Sequence, residues 1–173
     1  CAKSIISVIL FYNCHIHSFT DQDVPDNYLP LSLAKILKTK WGAALLNSSL
    51  KSLIPFSQKD LFDRYAKFIT VGKLGSQEKI FQECTKYYPT STKFFVLAMD
   101  MEFMGAGKTN RPYRDQLQEL GELAANNQQC LPFMMIDPRR PKVYELLQEM
   151  INTYNYQGIK LYPTVGYFPY DER

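Results

Sequence analysis

Two histidines, His15 and His17, are separated by a single residue near the start of the chain. Alternate side chains of a strand point to the same face, so both imidazoles are expected on one face together with Asn13. Two neutral imidazoles on one face can chelate a divalent cation such as zinc, iron or manganese. The chain has no other histidine. The pattern predicts a metal site, zinc by preference, with His15 and His17 as ligands. The alternative is one hydrogen-bonded strand-end histidine beside a surface histidine.

Three further ionisable residues, Asp100, Asp137 and Lys160, lie in or directly after predicted strands. A lysine between apolar neighbours in a buried strand must find a carboxylate or lower its pKa. Lys160 is therefore a candidate catalytic residue, as a base, as a ligand for a substrate carboxylate or as a carbamylated group bridging two metals. The alternative is an ion pair with Asp100 or Asp137. These two aspartates are candidate substrate-binding residues, or else turn-forming residues, since Asp137 precedes a proline.

The elements that must position these residues follow from the apolar pattern. Short apolar runs predict four strands, at residues 5–13, 94–99, 133–136 and 158–162. Apolar spacings of three and four predict helices at residues 113–127 and 141–154 and a helical insertion at about residues 30–88. The insertion holds three apolar stripes: Leu33, Ile36, Leu37 and Trp41; Leu61, Tyr65, Phe68 and Ile69; Ile80, Cys84, Tyr87 and Tyr88.

Strands alternating with helices indicate an α/β fold made of parallel βαβ units. The first strand is almost continuously apolar, which favours burial on both faces. The candidate residues all fall at or near the carboxyl ends of their strands. In parallel α/β proteins that edge of the sheet binds ligands, so we expect one site there.

Composition limits the class of protein. The chain has 173 residues, 46% hydrophobic and 21% charged, which fits one globular domain and excludes a disordered chain. A net charge of +3 from interspersed charges gives no reason to expect nucleic acid. The longest apolar run is too short to span a bilayer, so no membrane partner is expected.

Four cysteines without a CxxC pair are typical of free thiols in a reducing compartment, so we expect a cytoplasmic location. Lipid modification of Cys1 is disfavoured because the first predicted strand follows at once.

A glycine-containing segment, GAGKT at residues 105–109, partly matches the phosphate-binding loop pattern. The first glycine of that pattern is replaced by Glu102, whose carboxylate would repel a phosphate. Pro112 lies where the following helix should already donate backbone hydrogen bonds. The segment is interpreted as a loop at the mouth of a site, not as a nucleotide-binding loop.

Three segments resemble the amidohydrolase superfamily, specifically its amidohydrolase-related branch of metal-dependent barrel enzymes. They are FYNCHIHSF at residues 11–19, MIDPRRP at residues 135–141 and GIKLYPTVGYFPYDE at residues 158–172. The resemblance implies the first half of a TIM-type (β/α)8 barrel, with residues 1–173 forming a single incomplete domain. It also implies that metal held by His15 and His17 activates water for attack on an amide, ester or lactone carbonyl, while some members of the branch decarboxylate instead. Lys160 occupies the position of the bridging lysine of binuclear members.

The chain departs from the family pattern in ways that affect function. Family members take further ligands from histidines on strands five and six and an aspartate general base from strand eight, and none of these is present. We therefore expect a small-molecule hydrolase in its full-length form, with this chain alone inactive. The alternative is a non-catalytic α/β binding or scaffold module. In either case the fold would be completed by a partner, through homo-oligomer formation or the missing half of the barrel.

Overall fold

The computed structural model describes residues 10–28, 64, 67, 68, 70–168 and 170. Within them, four strands form one sheet: β1 (Tyr12–Ile16), β2 (Lys93–Leu97), β3 (Cys130–Ile136) and β4 (Gly158–Leu161). Neighbouring strands pair in chain order, and every pair is parallel. The sheet is curled into a half-barrel. The predicted α/β class and parallel βαβ arrangement are therefore confirmed, whereas the TIM-type identity stays a prediction.

The α-helices that the structure describes from end to end are α1 (Gln77–Thr85), α2 (Tyr113–Asn126) and α3 (Val143–Tyr154). Ser76 caps α1, because its side chain accepts a hydrogen bond from the Lys79 backbone N–H. The α3 helix begins two residues later than its proline predicts, since Lys142 adopts a left-handed conformation at φ 56° just before it. The first two stripes of the predicted insertion lie almost wholly outside the described residues.

The helices cover one face of the sheet and form the core with it. Phe94 of β2 packs edge-on against Phe81 of α1, with 5.5 Å between ring centroids. Leu117 and Leu120 of α2 and Met134 of β3 are fully buried in the same cluster. Burying such side chains is the main source of stability for a layered α/β fold. We call this side of the sheet the helix face.

The opposite face of the sheet is only partly covered in the described part of the chain. Phe95 and Phe133 stack on it, with centroids 4.9 Å apart, and Tyr12 contacts Phe95 edge-on. Gly158 of β4 faces the Phe133 ring so closely that a Cβ there would lie 2.3 Å from a ring carbon. We call this side the open face.

Two expectations about the strands are wrong. Both β1 and β4 are outer strands of the described sheet, and Phe11, Tyr12, Ile159 and Leu161 are exposed. The described end of the first predicted strand is therefore not buried on both faces, and Lys160 does not lie in a buried strand. Residues 5–9 of that predicted strand lie outside the described residues. An apolar run alone therefore does not distinguish an outer strand of the sheet from a central one.

Candidate functional site

His15 lies in β1 and His17 directly follows it, and the strand is irregular between Asn13 and Ile16. Asn13 is the partner of Phe94 and Ile16 is the partner of Val96, so three steps along β1 match two steps along β2. Both Phe94 and Val96 are buried on the helix face. One extra residue in a strand reverses the faces of all residues that follow it. The prediction that Asn13 shares a face with the histidines is therefore wrong.

The two imidazoles meet next to this irregularity. The Nε2 atoms of His15 and His17 lie 3.1 Å apart, and the ring centroids are 5.0 Å apart. The Nδ1 of His17 lies 2.8 Å from the carbonyl oxygen of Leu97 in β2. Since a carbonyl oxygen can only accept, Nδ1 is the donor of this hydrogen bond. Nδ1 of His17 is thus protonated, and its Nε2 carries a lone pair when the ring is neutral.

Burial keeps the His17 ring neutral. Burial is the largest cause that lowers the pKa of His17; the Leu97 hydrogen bond opposes it, Lys160 and His15 add to it, and the net pKa is about 4. At neutral pH the Nε2 lone pair of His17 therefore faces Nε2 of His15. Two bare lone pairs at 3.1 Å repel each other, so the contact requires one shared proton or one shared cation.

Lys160 of β4 completes a cluster of three nitrogen atoms. Its partner in β3 is Met135, and its Nζ reaches across the open face to lie 3.3 Å from Nε2 of His15. The Nζ atom also lies 4.7 Å from the centroid of the Tyr162 ring. Burial lowers the pKa of Lys160 and outweighs the opposite effect of Tyr162. The structure thus brings together three of the five predicted site residues: His15, His17 and Lys160.

The histidine pair fits two ligands of a shared cation. Imidazoles that bind one zinc ion at about 2.0–2.1 Å place their nitrogens roughly 2.9–3.4 Å apart, and the observed distance lies within that range. Donation of the other ring nitrogen to a backbone carbonyl, as in His17, is the usual way proteins orient such a ligand. No group of three or more His, Cys, Asp or Glu side chains in the described residues could hold a metal.

Asp100, directly after β2, is buried and paired with an arginine. Its two carboxylate oxygens accept hydrogen bonds of 2.5 and 2.8 Å from Arg140. The same guanidinium donates to Glu102 and lies over the rings of Phe103 and Tyr113. These carboxylates together raise the pKa of Arg140 despite its burial.

Asp137, directly after β3, has an equivalent partner in Arg139. The guanidinium donates to both carboxylate oxygens, at 2.9 and 2.6 Å, and also to the carbonyls of Val165 and Gly166. Burial raises the pKa of Asp137, but the hydrogen bonds and charge of Arg139 outweigh it, so the pKa is lowered overall.

The alternative for Lys160, an ion pair with Asp100 or Asp137, is not observed, because each aspartate pairs with an arginine. Guanidinium groups already occupy both carboxylates, and substrate binding by these aspartates stays a prediction. The arginines were not predicted, although the sequence DPRRP contains the signal: two adjacent arginines follow a strand-end aspartate. Bidentate pairing with buried carboxylates is the geometry that favours arginine over lysine.

The sequence also did not predict a buried network of hydrogen bonds formed by glutamine amides. Gln116 of α2 exchanges hydrogen bonds with the backbone of Met99, and Gln77 of α1 accepts one from Ser18 and donates one to the Gln116 carbonyl. The network ties the chain just after His17 to the chain just after β2. Isolated glutamines on amphipathic helices carry no signal of such long-range pairing.

The loop containing the GAGKT segment is tied to the chain that follows β1. The Asn27 backbone N–H donates to the Ala106 carbonyl, and those of Asn110 and Arg111 donate to the Gln22 carbonyl. Lys108 and Thr109 precede α2 by several residues, with Pro112 at the N-cap of the helix. The loop thus does not lead directly into a helix, as a phosphate-binding loop would.

No helix in the portion of the chain that the structure describes is both long and apolar enough to cross a bilayer. Comparison of this chain with protein-family models, with curated proteins and with solved structures finds no match. The sequence resemblance and the geometry of the site are therefore the grounds for any proposal of family and activity.

Proposed function

We propose that this protein is a metal-dependent hydrolase of the amidohydrolase type, acting on an amide, ester or lactone carbonyl of a small molecule. His15 and His17 hold a divalent cation, zinc by preference. The observation that carries the proposal is the 3.1 Å approach of two Nε2 atoms, one of them on a ring whose other nitrogen is committed to the Leu97 carbonyl. A divalent cation bound there supplies Lewis-acid activation of water and polarises a substrate carbonyl.

The residues of the chain have distinct tasks in this proposal. The Leu97 carbonyl fixes the tautomer of His17, and burial keeps that ring unprotonated near neutral pH. Lys160 is the proposed catalytic residue, because its Nζ lies on the open face within 3.3 Å of His15. From there an ammonium group can donate a hydrogen bond to the oxygen that gains negative charge during hydrolysis. Decarboxylation is the other reaction of the same branch that this site would serve.

The test is hydrolysis of an aryl ester, a lactone and an anilide by the zinc-loaded full-length protein, since this chain alone is expected to be inactive. We expect turnover that a chelator abolishes, that falls at least a hundredfold in His15→Ala, and that falls in kcat in Lys160→Met. Cys14→Ser is the matched control, because it changes an exposed side chain between Asn13 and His15 without touching either imidazole. Metal-independent turnover unchanged in His15→Ala would contradict the proposal.

A second candidate is a non-catalytic α/β module whose sheet is completed by a partner segment or a second copy. The observation in its favour is the exposure of apolar residues on both outer strands, β1 and β4. Open apolar sheet edges promote pairing with another chain. Light scattering coupled to size-exclusion chromatography, combined with the activity assay, separates the candidates: an active monomer contradicts this one.

A further inference from the structure

The amide side chain of Asn13 contacts two parts of the chain at the irregularity in β1. Its Oδ1 accepts a hydrogen bond of 3.1 Å from the backbone N–H of His15, two residues later. Its Nδ2 donates a hydrogen bond of 3.1 Å to the hydroxyl of Tyr88. The Tyr88 ring in turn packs edge-on against Phe94, with centroids 5.1 Å apart. Asn13 is thus anchored on the helix face while it holds the backbone of His15.

The position of the extra residue decides where the imidazoles point. Asn13 and Ile16 are partners of Phe94 and Val96, which both lie on the helix face. In a regular strand, His15 and His17 would follow Asn13 onto that same face, two and four residues later. The extra residue instead leaves them on the open face, where His15 meets Lys160. The metal site that we propose therefore requires the irregularity.

Asparagine is suited to stabilise such an irregularity. Its side-chain carbonyl reaches the backbone N–H two residues later, and this short hydrogen-bonded ring competes with regular strand pairing. A bulge leaves backbone groups of the extra residue without ladder partners. The Asn13 Oδ1 provides a partner for one backbone group of this irregular segment, the N–H of His15.

We propose that Asn13 is a positioning residue: its amide, anchored by Tyr88, stabilises the extra residue in β1 that turns both imidazoles onto the open face beside Lys160. This inference rests on the proposed function, because the position of the imidazoles matters for binding the proposed metal. The position itself can be tested without metal.

The first measurement is a nuclear Overhauser spectrum of the metal-free protein, which reports the proximity of the His15 and His17 rings. The chain has only these two histidines, so the signals are unambiguous. We expect a ring-to-ring contact in the wild-type protein and in Asn13→Asp, which retains the acceptor oxygen and can accept from Tyr88. We expect its loss in Asn13→Leu, which keeps the size of the side chain but not the hydrogen bonds. Tyr88→Phe removes only the anchor and should weaken the contact.

The second measurement is zinc affinity by competition with a chromophoric chelator. We expect Asn13→Leu to bind zinc at least tenfold more weakly than the wild type, and Asn13→Asp to stay within about threefold. Circular dichroism of each variant confirms folding. Should Asn13→Leu fold poorly, Asn13→Ala and Tyr88→Phe provide the same comparison.

The outcomes separate the two proposals. A ring contact that persists unchanged in folded Asn13→Leu and Asn13→Ala overturns the role of Asn13, whatever the zinc affinity. A contact that is lost in these variants, in a protein whose wild type binds no zinc, supports the role of Asn13 and contradicts the proposed function instead.

Discussion

At the scale of single residues, the site depends on which polar atoms already form hydrogen bonds or ion pairs within the protein. The Nδ1 of His17 is used by the Leu97 carbonyl, and both strand-end aspartates are used by arginines. Among the described residues, the cluster on the open face consists of nitrogen atoms: Nε2 of His15, Nε2 of His17 and Nζ of Lys160. Imidazole nitrogens suit a borderline metal such as zinc better than magnesium or calcium.

The lowered pKa of His17 predicts a specific dependence of stability on pH. The ordinary pKa of 6.5 applies to the unfolded chain and about 4 to the folded one, so below pH 6.5 the unfolded state binds more protons. The free energy of unfolding should therefore fall as the pH decreases from 6.5 to 4, by no more than about 3 kcal/mol from this group. Urea unfolding of His17→Gln should show a flatter profile over this range than the wild type. Parallel profiles would contradict a depressed pKa.

Removing Arg140 should be costly because Asp100 is buried. Arg140→Met leaves that carboxylate without its two hydrogen bonds, and we expect the free energy of unfolding to fall by about 3 kcal/mol. The matched control is Arg114→Met, which breaks a surface pair with Glu149 and should change stability by about 0.5 kcal/mol or less. Adding Asp100→Asn to Arg140→Met should recover part of the loss. Equal effects of the two arginine substitutions would show that burial does not set the cost.

At the scale of elements, the sequence predicted the central strands and helices well. The helix predicted at residues 113–127 is observed as Tyr113–Asn126, because its apolar residues repeat regularly and become buried. The faces of β1 could not be predicted, because the extra residue depends on its pairing with β2. Likewise, the pair of Arg140 with Asp100 joins the ends of β3 and β2, and a contact between residues 40 positions apart leaves no periodic signal.

Helix α2 packs so closely on α3 that a glycine is required in α2 at their contact. A Cβ on Gly121 would lie 2.5 Å from Cβ and Cγ of Tyr154, although alanine is the better helix former. We therefore expect Gly121→Ala to lower the free energy of unfolding by about 1–3 kcal/mol, measured by urea denaturation. Asn152→Ala, at an exposed position of α3, is the control and should be neutral or slightly stabilising. A stabilised Gly121→Ala variant would mean that the two helices are more loosely packed.

At the scale of the whole molecule, the sheet concentrates its polar residues at one edge. His17 and Asp100 follow β1 and β2, Asp137 follows β3, and Lys160 lies in β4. The sequence predicted this concentration because carboxyl ends of parallel strands share an edge. It did not predict the division of the edge into an open histidine–lysine cluster and two closed arginine pairs. That division determines which residues remain available for a ligand.

The most direct test of the account is a zinc titration of the protein by isothermal calorimetry, with bound metal counted by elemental analysis. We predict one zinc ion per chain in the wild type and in Cys14→Ser, which excludes the neighbouring thiol as a ligand. Zinc binding should be lost in the variant with both His15→Ala and His17→Ala, while circular dichroism shows it folded. A wild-type protein that takes up no zinc, or a double variant that still binds one equivalent, would contradict the account.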